Sequence, residues 1–371
     1  MAAEAPNLVS TRENSGKQDL IGKEAYVNSR EEELCSGLSR YLSHRKGQAC
    51  SVSDGNRIPG GASRETWRFV ATSAEGAQGV IVRIDPETSL IDTDRAVEYA
   101  AIEVAFKAGL PAPEPLYLEE DLSWLGRPFT ITTEVPGCSA SADGLPPQHL
   151  EKIGRQKWHW LGKIAALDPL SMGLDRVMAT PSPATCAMEQ LEYWAGVIKQ
   201  DEIHPNPIAE AAVRWLRRHP PPPAQKLSLV HGDYRTGNFL YNPDGEIKAI
   251  LDWEMAHIGD PLEDLAWSLD PLWSFNNPAL AGGLVPHKVA IAHWEEASGL
   301  KVDPEVFRWW RIFASVKGMG IWISSSEDYH RGATKLPILA IAGWLMTDRQ
   351  ERILCDYLSP HSTHVFPEVA K

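Results

Sequence analysis

The chain has 371 residues, with 36 Lys and Arg against 49 Asp and Glu, a formal net charge of −13. An acidic chain without basic runs lacks the clustered cations that a phosphate backbone demands, so a nucleic-acid partner is excluded. At this length, with 43% apolar and 23% charged residues, the expectation is two lobes rather than one small module. Cys35, Cys50, Cys138, Cys186 and Cys355 are odd in number and form no C-x-x-C pair. This pattern predicts neither a disulfide framework nor a zinc site and points to a reducing compartment. The first thirty residues have no apolar targeting core and no run is long enough to span a bilayer, so a cytoplasmic protein without membrane contact is expected.

Residues 1–28 mix polar types without periodicity and read as a mobile leader. Leu34, Leu38, Tyr41 and Leu42 then recur at helical spacing. A β-rich stretch follows: 49–57, a turn at Pro59-Gly60-Gly61, then 66–72 and 79–85. From Asp94 to Ala108 the apolar residues form one helical stripe, ended by Gly109 and Pro111. Glu98 lies roughly 75° from the centre of that stripe and Glu103 roughly 145°, which makes Glu98 the carboxylate at the edge of the buried face. Two short strands, 114–119 and 128–135, end at Val135-Pro136-Gly137, the expected lobe boundary. Helical patterns cover 147–167, 186–200 and 206–218. After a β interlude at 227–252 they resume from Asp260.

The interlude carries the chemistry. Leu227, Leu229 and Val230 form a buried strand that delivers His231-Gly232-Asp233 into a loop closed by Asn238. Asn242-Pro243-Asp244-Gly245 is a turn, so 238–241 and 247–251 pair as a hairpin whose second strand ends on Asp252. Asp233, Asn238 and Asp252 thus meet at one end of a small sheet. Two carboxylates and an amide are hard oxygen ligands, suited to Mg²⁺ bridging phosphates. Any one of these acids alone reads as an ordinary turn residue; the three together do not.

H-G-D-x-x-x-x-N followed by I-L-D-W-E resembles the aminoglycoside phosphotransferase superfamily of small-molecule kinases. The D-W-E form, with arginine in the lysine position, is similar to the kinase domains linked to acyl-CoA dehydrogenases. The resemblance implies an α+β, bilobal, protein-kinase-like fold: a β-rich N-lobe with one main helix over 29–136 and a larger helical C-lobe over 137–371. It implies that Asp233 orients the attacking hydroxyl and that Asn238 and Asp252 hold Mg²⁺. Gly60, Gly61, Ala62 and Ser63 would form the loop over the nucleotide phosphates. Arg83 would stand where the family carries a phosphate-binding lysine, with Glu98 as the helix glutamate. The Thr133 carbonyl and Val135 amide would meet adenine.

Arg235 either stabilises transition-state charge or solvates the loop. His231 is expected to hold loop backbone, Asp264 to tie the loop down, and Asp260-Pro261-Leu262-Glu263 to start a helix through a capping box. The implied activity is transfer of the ATP γ-phosphate to a hydroxyl of a small metabolite. From Trp267 onward the acids and bases nearly balance, and the segment holds seven of the 14 tryptophans. That suits an apolar or aromatic acceptor better than a polycationic aminoglycoside. A hydroxyacyl-CoA or an antibiotic is the alternative acceptor within the superfamily, and a non-catalytic nucleotide-binding pseudokinase is the alternative of another class. Neither a P-loop, a dinucleotide fingerprint nor a hydrolase elbow is present.

Overall fold

A computed structural model of the chain describes residues 29–58, 65–85, 94–274, 277, 279–334 and 336–359. Contacts divide these between a smaller unit, within Met1–Ser89 and Leu116–Glu134, and a larger one, within Leu90–Pro115 and Val135–Lys371. The mix is α+β: an antiparallel-rich sheet in the smaller unit, helices in the larger.

In the smaller unit, helix α1 (29–46) accompanies a five-stranded sheet of β1 (Ser51–Ile58), β2 (Glu65–Ser73), β3 (Gly76–Ile84), β4 (Pro115–Glu119) and β5 (Phe129–Thr133). The strand order is β1-β2-β3-β5-β4. Trp67, Phe69 and Ala71 alternate along β2, and Val80, Val82 and Ile84 along β3, so one face of the sheet is apolar. That face and Leu34, Leu38, Tyr41 and Leu42 of α1 form one core, in which Tyr41 meets Phe129 edge-on at 5.0 Å.

The larger unit begins with α2 (Arg95–Lys107), whose N-cap Asp94 accepts a bond from the Ala96 amide. Then come α3 (Pro147–Ala166), α4 (Cys186–Asp201) and α5 (Pro207–Arg218). Two short antiparallel pairs follow: β6 (Ser228–Val230) with β9 (His257–Gly259), and β7 (Phe239–Tyr241) with β8 (Ile247–Ile250). After α6 (Leu262–Ser268) come the short strands β10 (Leu280–Ala281) and β11 (Val285–Pro286), then α7 (His287–Ser298), α8 (Pro304–His330) and α9 (Pro337–Leu358). Most of the aromatic surface of this half is core: Trp309 stacks on Phe313 at 5.6 Å, with Trp310 edge-on to both. No helix among the described residues is long and apolar enough to cross a membrane.

Candidate active site

The loop after β6 is shaped by its own hydrogen bonds. Gly232 adopts φ +86°, and a Cβ there would lie 2.3 Å from the Met255 carbonyl oxygen, so the position accepts only glycine. Asp264, in the first turn of α6, accepts from the His231 and Gly232 amides at 2.6 and 2.9 Å. The Asp233 amide donates to His231 Nδ1 at 3.2 Å, which leaves Nε2 to donate to the Leu251 carbonyl at 2.9 Å. Burial pushes the His231 pKa down, consistent with that single neutral tautomer.

Leu251 also joins the loop's far end, its amide donating to the Asn238 carbonyl at 2.8 Å. Through this residue the structure brings His231, Asn238 and Asp252 together. Asp252 follows β8 with φ +67°, one of two non-glycine residues with positive φ among those described. Aspartate tolerates this left-handed conformation better than most side chains. Trp253 behind it is fully buried, tilted against the His231 ring at 4.5 Å and donating to the Ile250 carbonyl.

The Asp233 carboxylate is held from three sides. Arg235 Nε reaches both oxygens at 3.0–3.1 Å, Asn238 Nδ2 donates at 2.8 Å, and the buried Trp267 donates its indole N–H at 2.9 Å. Asn238 Nδ2 also donates to the Asp233 main-chain carbonyl at 2.9 Å. The Arg235 guanidinium lies over the Trp273 ring at 5.1 Å.

Below the loop lies a buried charged chain. Lys317 on α8 donates to the Gly232 carbonyl at 2.6 Å and to Glu263 at 2.8 Å, and Glu263 also meets His257 Nε2 at 3.1 Å. Burial works against the Glu263 charge, yet Lys317 and His257 overcome it and lower the carboxyl to about 2. Glu263 therefore does not close a capping box: it points into the core. Only Asp260 caps, accepting from the Leu262 amide at 2.9 Å, and burial raises its pKa to about 6. Beside the loop, Lys157 of α3 is fully buried, and among the described residues its ammonium has one hydrogen bond, to Thr236 Oγ1 at 3.1 Å. Burial first, then Arg235, lowers its pKa to about 7.

Of the other sequence-predicted positions, Gly60, Gly61, Ala62 and Ser63 lie outside the described residues. Arg83 stands in β3 opposite Thr66 and Thr130, and Thr133 ends β5 opposite Val80. Glu98 is buried on α2, and Val135 begins the larger unit's second stretch. Lys157, Trp267 and Lys317 escaped the sequence reasoning. The one available signal was a lone lysine inside an otherwise buried stretch such as Phe313–Met319, which calls for a buried anion somewhere.

The family model described as the phosphotransferase enzyme family (APH) matches residues 54–300. The chain is 31% identical over 195 residues to acyl-CoA dehydrogenase family member 10 of Mus musculus, covering 51% of this chain and 18% of that protein. The chain thus spans under a fifth of that relative's length. A solved structure from Ralstonia eutropha, assigned to the aminoglycoside phosphotransferases, superposes with a TM-score of 0.70 at 22% identity, over 87% of this chain and 97% of that one. An aminoglycoside phosphotransferase mutant in ternary complex with AMP-PNP and hygromycin B gives 0.55 at 18% identity, over 86% and 97%. Both likenesses are of fold, and the family match extends over most of the chain, from the smaller unit through the loop, α6 and α7. The chain belongs to the phosphotransferase enzyme family.

Proposed function

We propose that the protein is an ATP- and Mg²⁺-dependent phosphotransferase acting on a hydroxyl of a small, non-aminoglycoside metabolite. The observation that carries this reading is the Asp233 carboxylate, fixed by Arg235, Asn238 and Trp267 within a loop locked to α6 and to Leu251 just after β8. A carboxylate so fixed can align an acceptor hydroxyl for in-line attack, and positioning supplies most of the rate in phosphoryl transfer. Trp267 and Arg235 act on the acceptor through Asp233, not directly.

The residues fit a hard cation. Asn238 spends its amide nitrogen on Asp233, so its carbonyl oxygen is the ligand atom left over, and Asp252 adds a carboxylate. No group of three or more His, Cys, Asp or Glu able to hold a metal occurs among the described residues. Two protein oxygens suffice for Mg²⁺, which takes the rest of its shell from phosphates and water. When bound, the ion would offset charge on the phosphates. In this reading Gly60, Gly61, Ala62 and Ser63 cover those phosphates, Arg83 and Glu98 serve the inner ones, and the Thr133 and Val135 backbone meets adenine. His231, Asp260 and Asp264 support the loop.

The likeness to an acyl-CoA dehydrogenase family member supports a hydroxyacyl-CoA as one acceptor. The near-neutral segment after Trp267 disfavours a polycation. The test is Mg²⁺-dependent ADP release across a panel of hydroxyacyl-CoAs, simple and aromatic alcohols and aminoglycosides. Asp233→Ala should lower the best rate on the order of 10²–10⁴-fold. Equal behaviour of wild type and variant with every acceptor sinks the proposal.

A further inference from the structure

Of the seven tryptophans from Trp267 onward, five are buried and Trp322 is partly buried in the larger core. Trp344 is the exception, at 80% exposure. It belongs to a row. Ile338, Ile341 and Leu345 on α9 are 63%, 52% and 44% exposed, and Leu336, just before the helix, is 49% exposed. Spacings of three and four residues place these side chains on one side of the helix.

The other side of α9 is satisfied. A Cβ on Gly343 would lie 2.7 Å from Ser326 and 2.9 Å from the Trp322 carbonyl on α8, and Gln350 and Leu354 are buried further along. The orientation of the helix is therefore set by close packing on α8, and the apolar row is left facing outward. One turn beyond Leu345 the surface becomes charged, with Arg352 paired to Asp348.

The exposed fractions of these five residues correspond to roughly 600 Å² of apolar surface, at or above the largest patch a typical monomer shows. Buried against its own copy, the patch would remove about 1,200 Å² in total, the lower bound of a specific interface. No charge lies within the row to call for a partner of opposite sign. An apolar centre with a charged rim is the anatomy of such an interface, and a two-fold contact needs only self-complementarity.

We infer that the outward face of α9 is a homodimer interface, two helices crossing near Ile341 and Trp344. Sedimentation velocity of the full chain, with no nucleotide or acceptor needed, tests this separately from the proposed activity. Wild type should sediment at twice the 41.1 kDa chain mass at micromolar concentration. Trp344→Glu combined with Ile341→Glu should sediment as the monomer and keep the far-UV circular dichroism of the folded chain, because both positions are exposed. A wild type that stays monomeric to about 100 μM overturns the inference. So does a dimer that the double variant leaves intact, and so does a monomer in which α9 is protected from hydroxyl-radical labelling at Trp344, since the chain would then cover this face itself.

Discussion

Lys317 donates from the core of α8 to the carbonyl oxygen of Gly232, 85 residues away in sequence, at 2.6 Å. The same ammonium meets Glu263, and both side chains are 1% exposed. One lysine thus joins α8 to the loop that carries Asp233. Replacing it with methionine leaves the Glu263 carboxylate without its main partner inside the core. Breaking one side of such a pair costs about 3–5 kcal/mol. Lys317→Met should therefore lower the urea midpoint strongly, and adding Glu263→Gln should restore much of the loss, because the buried carboxylate is gone and His257, its other partner, can then sit neutral. Unfolding curves of the single and double variants decide this.

Asp252 separates conformation from charge. Its φ of +67° suits aspartate and asparagine and disfavours alanine. Asp252→Asn should fold with near wild-type stability while losing Mg²⁺-dependent activity. Asp252→Ala should lose the activity and about 1–2 kcal/mol of stability as well. Thermal melts beside metal titrations distinguish the two, and equal stability of both variants contradicts the backbone argument.

Trp267 tests whether Asp233 must be aimed. Its indole N–H holds Asp233 Oδ1 at 2.9 Å, and phenylalanine would keep most of the packing without the donor. A hydrogen bond to a charged group contributes about 1.5–3 kcal/mol. Trp267→Phe should thus cut kcat about 10- to 100-fold while KM for ATP stays near wild type. A variant that loses ATP affinity and keeps kcat refutes a positioning role.

The parts of this arrangement that could be read from sequence are those whose partners are near in the chain. Asp233, Asn238 and the hairpin ending at Asp252 lie within twenty residues, and turn chemistry at Asn242 to Gly245 fixes their return; the structure adds the Gly245-to-Asn242 backbone bond at 3.1 Å. The strands of the smaller unit were legible as β-rich stretches set off by turn residues, and α1 to α5 from helical periodicity. Glu263 was misread for the same reason: its spacing from Asp260 fits a capping box, but His257 and Lys317, the latter 54 residues on, hold its carboxylate in the core. Periodicity places a lysine on a face but cannot say that the face meets a carboxylate. Trp267 and Lys157 share that blindness, since their partners lie 34 and 79 residues away.

Lys157 carries the last prediction, a pH dependence with a definite sign. Its pKa falls from 10.5 to about 7 on folding, driven by burial and then by Arg235. Between those values the unfolded chain binds one proton more than the folded chain, so the free energy of unfolding rises with pH across that window. The contribution approaches 1.4 kcal/mol per pH unit at most. Below about pH 7 the ammonium stays charged in the core, and its burial is then at its most unfavourable. Lys157→Met removes the charge and keeps much of the bulk beside Trp158 and Phe239, whose rings lie 4.7 and 5.8 Å from the nitrogen. The variant should be more stable than wild type at pH 6.5, and the difference should shrink steadily towards pH 9. Denaturant unfolding at pH 6.5, 7.5 and 8.5 measures it, and a difference that stays constant with pH would show that Lys157 does not titrate in this range.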